Sequence, residues 1–482
     1  MKNQFLVTAL LLFLFASMKA APFRYVVAQD GSGDYTSIQA AITACPDNER
    51  SIIFIKNGTY DEQVALGTKS TASKKYISLV GESYGGVVIT HNQYRASSGS
   101  PTYEDICTVK LFANDFYAEN ITIQNTATAG MAEALYTAGD RQTFKNCQVL
   151  GYQDAYRAKK GARCYFKNSL LQGAVDFIYA GGTVFFDDCT INCVKGGGYI
   201  VAPEDRVKYI PAASTASGKD LNLEFIFRNC TITANADVSD NSYTLGRPWN
   251  ANAGAYYLNC KLGSHIKAAG WTIMGGYEAT ASFAEYNSMD KNGNPISSSG
   301  RISWSFQLAK ADVDNYLNPA YVYAQLSTTV YDPVALCVSP AKPTITVNAN
   351  AISWTATPDA VGYIIYKDGK YLANTIETSY TDNSGTSGVY TVKSINAMGV
   401  QSDAGGITAV SDVNTSRTKF QIKHKIIAFN EAVSFELYTL KGQSLKKTLH
   451  TSSVELSNFA SGVYLISYKG SNGKTQQATI LL

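Results

Sequence analysis

A short phrase recurs along this chain and limits its fold more than any other feature. It consists of an aromatic residue, a variable stretch, Asn or Asp, then Cys, Ser or Ile. It appears as Tyr117-Ala118-Glu119-Asn120, Phe144-Lys145-Asn146-Cys147, Phe166-Lys167-Asn168-Ser169, Phe186-Asp187-Asp188-Cys189, Phe227-Arg228-Asn229-Cys230 and Tyr257-Leu258-Asn259-Cys260. The Asn/Asp positions are 26, 22, 20, 41 and 30 residues apart, and the interval of 41 reads as two periods of the shorter kind. Repeats at such a period stack as a solenoid. β-prone tripeptides such as Ile121-Thr122-Ile123 follow the phrases, and no helical pattern separates them, so the pattern predicts a parallel β-helix rather than alternating strands and helices.

The repeat also places two carboxylates. Asp154 lies 8 residues after Asn146, and Asp176 lies 8 residues after Asn168. Equivalent positions on adjacent coils are roughly 4.7–4.9 Å apart. Two carboxylates at that spacing repel, so one pKa rises. A pair split in this way supplies a nucleophile and a proton donor.

The chain has 482 residues, too many for one ordinary core unless a solenoid takes up much of them. Residues 1–20 read as a secretory signal peptide: Lys2, a mostly apolar run from Phe5 to Phe15, then small residues near Ala20-Ala21. That run is shorter than the about 20 residues of a membrane span. The expectation is a secreted protein, extracellular or attached to a cell surface, with no membrane span. A net charge of +3, from 41 basic and 38 acidic residues in no long block, gives no reason to expect nucleic acid. Nine cysteines cannot all pair within one chain. Cys147, Cys189, Cys230 and Cys260 share one repeat position and read as a ladder of small buried side chains. No Cys/His spacing suggests zinc, and neither metal nor cofactor is expected.

Toward the N-terminus, Ser37 is a candidate cap for one short helix with Ile38, Ala41 and Ile42 on its buried face. Such a helix closes the open end of a β-helix. After Asp332-Pro333 the texture changes. Ser339-Pro340-Ala341-Lys342-Pro343 is a linker. The strands Ile352-Ser353-Trp354, Tyr363–Tyr366 and Val389–Val392, with a hairpin signal at Asp368-Gly369, resemble a fibronectin type III module with Trp354 and Tyr390 in its core. The phrases Val433–Tyr438 and Ser461–Ile466 resemble the C-terminal sorting domain of type IX secretion substrates, which implies the secretion machinery as a partner.

Three motifs accompany the solenoid: Gly151-Tyr152-Gln153-Asp154, Val175-Asp176-Phe177-Ile178-Tyr179 and Leu245-Gly246-Arg247-Pro248-Trp249. Together with Gly58-Thr59-Tyr60-Asp61-Glu62 and Gly139-Asp140-Arg141, they resemble the signature regions of pectin methylesterases, carbohydrate esterases on a right-handed parallel β-helix. The resemblance implies an all-β chain: residues 1–20 a signal peptide, 21–335 the catalytic β-helix, and two small β-sandwich-like modules at 341–411 and 412–482.

It also implies roles. Asp176 resembles the nucleophile that attacks a galacturonate methyl ester in pectin (methylesterified homogalacturonan). Asp154 resembles the acid that protonates departing methanol and then the base that activates water. Arg247 would pair with Asp176 and keep its pKa low. Gln153 would donate to the oxyanion. Trp249, Tyr179 and Met131 would line the sugar groove. One departure stands out. The family's second oxyanion glutamine falls at Met131 in Met131-Ala132-Glu133-Ala134-Leu135, and methionine has no donor. A slower enzyme, an esterase for a different uronate ester, or a non-catalytic pectin-binding protein therefore remain as alternatives. So does a serine esterase, through Gly81-Glu82-Ser83-Tyr84-Gly85, although that motif needs a strand-to-helix elbow. A glycoside hydrolase or lyase also uses paired carboxylates or a β-helix, but the Leu-Gly-Arg-Pro-Trp motif argues against it.

Overall fold

The computed structural model describes residues 23–70, 73–96, 101–348, 350–384, 388–405, 407–409, 420–423, 425–439, 443–460, 463–469 and 475–481. The signal segment 1–20 lies outside the described residues, as do Ser461 and Gly462. The chain divides into two compact units. The first is Met1–Ile345 with Ser353–Tyr380 and Gly388–Gly406; the second is Thr346–Ile352, Thr381–Ser387 and Ile407–Leu482.

The first unit is dominated by three parallel sheets of eleven, seven and nine strands among the described residues, visited in rotation as the chain winds. The repeated phrase explains the corners. Asn120, Asn146, Asn168, Asp188, Asn229 and Asn259 all have positive φ, between 51° and 59°. Asn and Asp enter this left-handed region far more readily than branched or bulky residues. Each one turns the chain from the eleven-stranded sheet into the nine-stranded sheet. From Phe144 onward the aromatic of each phrase stacks on that of the next coil, whereas Tyr117 of the first phrase pairs with Thr143 instead. Ring centroids are 4.5 Å apart for Phe144–Phe166, 5.3 Å for Phe166–Phe186, 4.5 Å for Phe186–Phe227 and 4.4 Å for Phe227–Tyr257. Such pairs contribute about 0.5–1.5 kcal/mol each beyond the area they bury.

The 41-residue interval is one coil, not two. Phe186 pairs directly with Phe227 in register. The extra residues leave the coil as an excursion that includes an antiparallel pair, Tyr209–Ile210 with Leu221–Asn222. Cys189 and Cys230 are therefore on adjacent coils. All nine cysteines are free thiols. Cys147, Cys189, Cys230 and Cys260 donate to the carbonyls of Ala118, Phe166, Phe186 and Phe227 on the preceding coil, at 3.2–3.5 Å.

Helix α1 (Ile38–Ala44) is capped by Ser37 and buries Ile38, Ala41 and Ile42. Glu62 accepts from the amides of Ile38 (2.7 Å) and Gln39 (3.1 Å), a carboxylate placed where the helix leaves amides unpaired. This gives the Gly58–Glu62 motif a structural role. Beyond the last coil, segments Lys310–Tyr316, Pro319–Leu326 and Pro333–Leu336 are helical. Leu317, Val322, Tyr323 and Tyr331 from this region pack on Tyr165, Phe185, Ile226 and Tyr256, which face outward from the eleven-stranded sheet. The sequence pattern did not announce these helices.

Three antiparallel strands, Ala360–Lys367, Lys370–Thr375 and Tyr390–Asn396, also belong to the first unit. Their hairpin turns at Asp368 (φ 51°) and Gly369 (φ 77°). Ile364, Tyr366 and Ile395 join one cluster with Phe23, Ile52, Phe54 and Val80 of the solenoid. Polar bonds pin the contact: Gln401 donates through its backbone amide to Glu119 at 2.9 Å and through its side chain to the Gly81 carbonyl at 3.0 Å.

In the second unit, strands Phe420–Lys423, Ile426–Tyr438, Ser444–Glu455, Val463–Lys469 and Thr475–Leu481 form one antiparallel sheet. Ile427, Phe429, Val433, Phe435 and Leu437 alternate with more exposed residues and form its core with Val454, Leu456, Ile466, Tyr468 and Ile480. Among the described residues, no helix is long and apolar enough to cross a membrane.

Candidate active site

The seven-stranded sheet carries the candidate site. Its strands β1 (Leu135–Thr137), β2 (Tyr156–Ala158), β3 (Val175–Ala180), β4 (Tyr199–Pro203) and β5 (Thr244–Gly246) lie side by side in that order. Tyr156 pairs with Ile178, and Gln153 bridges Val175. The register is the same on both sides of the aspartates, so Asp154 and Asp176 face each other on adjacent coils. Both take the left-handed backbone, with φ 57° and 46°. Beyond Asp176 the pairing of β3 with β4 shifts between Val175 and Ile178, a bulge that re-aims the side chain at this point.

Two glycines make the approach to the aspartates feasible. A Cβ at Gly173 would lie 2.2 Å from the Cβ of Phe177, and one at Gly151 would lie 2.6 Å from that of Ala155. The chain folds back on itself at both places, three residues before each aspartate, and only glycine leaves room.

Both carboxyl groups are buried, Asp154 at 3% exposure and Asp176 at 2%, but their partners differ. Arg247, which directly follows β5, donates from Nε to Asp176 Oδ1 at 3.0 Å and from Nη2 to Oδ2 at 2.5 Å. Its guanidinium carbon lies 3.9 Å from the centre of the Tyr199 ring, which holds the fork from the other side. The Asp154 carboxyl has no hydrogen-bond partner among the described residues. Burial, then the negative charges of Asp176 and Glu133, push Asp154 up to about 8, against the pull of Arg157 and Arg247. Burial is the larger cause here; proximity to Asp176 comes second. Burial also lifts Asp176 above the usual carboxylate value, while Arg247 opposes the rise. Arginine thus limits the increase rather than producing the low pKa expected from sequence. The pair is split: Asp154 is the member held protonated, and Arg247 favours the charged form of Asp176.

Glu133 had no assigned role in the sequence analysis. It is fully buried, accepts from the Tyr179 hydroxyl, and lies 2.9 Å from Arg157 Nε. Burial raises its pKa to about 7, with Arg157 pulling the other way. Arg157 occupies the same sheet row as Tyr136 and Tyr179, and its guanidinium sits 3.6 Å from the centre of the Tyr136 ring. Tyr179 therefore presents a ring whose hydroxyl is already engaged. The register that located Asp154 also aligns Arg157 with Tyr179, so the repeat contained this signal.

Met131 bridges Gln153 on the next coil. Its sulfur accepts the hydroxyl of Tyr103, from the short helix α2 (Tyr103–Ile106), at 3.2 Å. The Gln153 side-chain amide has no protein partner among the described residues. The Trp249 side chain is 42% exposed, while its backbone amide is fixed to the Pro203 carbonyl at 2.9 Å. The structure thus brings Asp154, Asp176, Gln153, Arg247, Met131 and Tyr179 to the seven-stranded sheet, Asp176 and Tyr179 within β3 and the others beside its strands, with Trp249 shortly after β5. Asp140 acts elsewhere: it pairs with Arg163 and Arg141. Ser83 donates to Asn57 at 2.9 Å, and its segment follows a strand with no helix after it, so the geometry of a serine-nucleophile elbow is absent there.

Comparison with known proteins finds two family models along the chain. The family model "Pectinesterase" matches residues 24–324, and "Secretion system C-terminal sorting domain" matches residues 414–481. A Brassica campestris protein named pectinesterase/pectinesterase inhibitor is 30% identical over 323 residues, covering 64% of this chain and 54% of that protein. The chain thus spans about half the length of that curated relative. Among solved structures, pectin methylesterase from carrot superposes with a TM-score of 0.56 at 27% identity, over 64% of this chain and 95% of that one. Pectin methylesterase PemA from Erwinia chrysanthemi gives 0.52 at 25% identity, over 65% and 100%. On a family match that spans more than half its length and contains the whole of the site just described, this chain belongs to the pectinesterase family.

Proposed function

We propose that the chain hydrolyses methyl esters of galacturonate residues in pectin, releasing methanol. The observation that carries this reading is the asymmetric pair: two buried aspartates in register one coil apart, with arginine on only one of them. In the first step an ionised Asp176 oxygen attacks the ester carbonyl. The C–O bond to the methoxy group breaks, and Asp154 gives its proton to the leaving oxygen, forming methanol and an acyl-enzyme. In the second step the Asp154 carboxylate takes a proton from water. The resulting hydroxide attacks the acyl carbon, and Asp176 leaves as a carboxylate. Gln153, whose amide is unengaged, donates to the oxyanion in both steps. Trp249, 42% exposed, is free to meet a sugar ring, and Tyr179 and Met131 are the further residues assigned to the sugar groove. No step calls for a metal or cofactor.

Product analysis on highly methylated pectin tests this reading. Methanol without new reducing ends or an unsaturated, ultraviolet-absorbing sugar is the expected result. Reducing ends or unsaturated products place the chemistry at the glycosidic bond instead. Met131, lacking a donor, favours one second reading: an esterase for a different uronate ester. Methanol-free pectin digests with activity on another ester support that version.

The match over residues 414–481 supports export, with the protein secreted or held at a cell surface through its C-terminal unit. Removing the residues after Asp412 is expected to block export; unchanged export contradicts it.

A further inference from the structure

We propose that the hydroxyl of Tyr103 is an oxyanion donor of this active site, standing in for the donor that Met131 cannot supply; the inference rests on the esterase reading above.

The observations are geometric. Met131, Gln153 and Val175 form one column across successive coils, directly before the aspartate row. Gln153 presents an amide in that column, and Met131 presents a thioether, which only accepts. The Tyr103 hydroxyl reaches the end of the Met131 side chain, 3.2 Å from Sδ. It brings an O–H to the place in the column where the side chain itself has none. A thioether is a weak acceptor, so this bond gives way readily to an anionic oxygen.

Tyr103 is also held in place. Its ring contacts two guanidinium groups, Arg95 at 4.7 Å and Arg157 at 5.4 Å from the ring centroid. Arg95 and Met131 exchange backbone hydrogen bonds of 2.9 and 3.0 Å, which ties the segment bearing Arg95 to the column. Helix α2, which carries Tyr103, begins with a reciprocal cap between Thr102 and Asp105. The hydroxyl is therefore aimed before substrate arrives, as electrostatic stabilisation of a developing charge requires.

A double-mutant cycle on the full chain tests the assignment, with methanol release as the readout. Tyr103→Phe keeps the ring and its contacts with both arginines while removing the donor. It is expected to lower kcat by about 10²-fold with KM changed little, the size of effect typical for one oxyanion donor. Met131→Gln introduces an amide at the same place. In that background Tyr103→Phe is expected to cost less than about threefold, because the donor is now redundant. Circular dichroism confirms folding of each variant. Three results overturn the proposal: Tyr103→Phe as active as the parent, a loss confined to KM, or the same loss in both backgrounds, which marks a merely structural role. A folded parent that releases no methanol overturns the esterase reading itself and this inference with it.

Discussion

Arg247 grips both carboxylate oxygens of Asp176, at 3.0 and 2.5 Å, while Asp154 on the neighbouring coil receives no hydrogen bond from any described residue. The two aspartates share one register position and nearly the same burial. Much of their difference comes from a residue 71 positions away in sequence, delivered after β5. Burial and the charges of Asp176 and Glu133 push Asp154 toward its protonated form, while the guanidinium fork favours the charged form of Asp176.

The division predicts the pH dependence of kcat/KM. Activity needs Asp154 protonated, so it falls as pH rises through the region of about 8. Glu133 is one of the charges that raise Asp154. Glu133→Gln removes that charge and leaves Arg157 uncompensated, so Asp154 loses its proton more easily. The alkaline limb is expected to move to lower pH. A pH–rate profile of the variant checks this, and a limb that stays fixed or moves upward contradicts it.

Arg247 governs the other limb. It pulls the Asp176 pKa down against burial. Lysine keeps the charge but cannot bind both oxygens. Arg247→Lys is expected to lower kcat by about 10-fold or more, in line with the loss of a charge-assisted bidentate bond worth roughly 1.5–3 kcal/mol. The acid limb should shift to higher pH, because Asp176 then protonates more readily. Steady-state kinetics between pH 4 and 8 read out both effects.

Burial of Asp154 also has a stability consequence with a definite sign. Its folded pKa, about 8, lies above the 3.8 of an unperturbed aspartate. Between those values the folded state binds more protons than the unfolded chain, so the contribution of this group falls as pH rises. Asp154→Asn removes the penalty. The variant is expected to melt several degrees above the parent at pH 8 and closer to it at pH 5. Thermal denaturation at both values checks the difference; a variant less stable at pH 8 than the parent contradicts it.

The Gly173 approach is a separate test of the backbone. Gly173→Ala places a Cβ 2.2 Å from that of Phe177, so the strand carrying Asp176 must shift. Activity is expected to fall by more than about 10²-fold, since misplacement of about 1 Å costs that much. Retained activity contradicts the claim that this turn positions the nucleophile strand.

Much of this arrangement was legible because the repeat is periodic. The phrase ending in Asn or Asp marks a left-handed corner, and counting from it aligns Asp154 with Asp176. The same counting brings Arg157 into line with Tyr179, but a charged residue in a row of aromatics gave no cue to its partner Glu133. Two features defeated the count. The bulge between Val175 and Ile178 broke the register toward Tyr199, so its contact with Arg247 was not readable. The excursion between Phe186 and Phe227 disguised one coil as two. Tyr103 reaches the site from a short helix outside the sheets, where periodicity carries no information. The helices after residue 309 were missed for a different reason: their apolar residues cover an outer sheet face, and short segments of seven or eight residues show little period.

The most direct test of the account is methanol release from highly methylated pectin by the parent beside Asp176→Asn, an exchange that keeps size but removes the nucleophilic charge and one of the two oxygens that accept from Arg247. The account predicts methanol from the parent and a loss of at least about 10³-fold in the folded variant, as for other nucleophile removals. Release by Asp176→Asn at close to the parent rate contradicts it, because the reaction then proceeds without the residue on which the whole site is built.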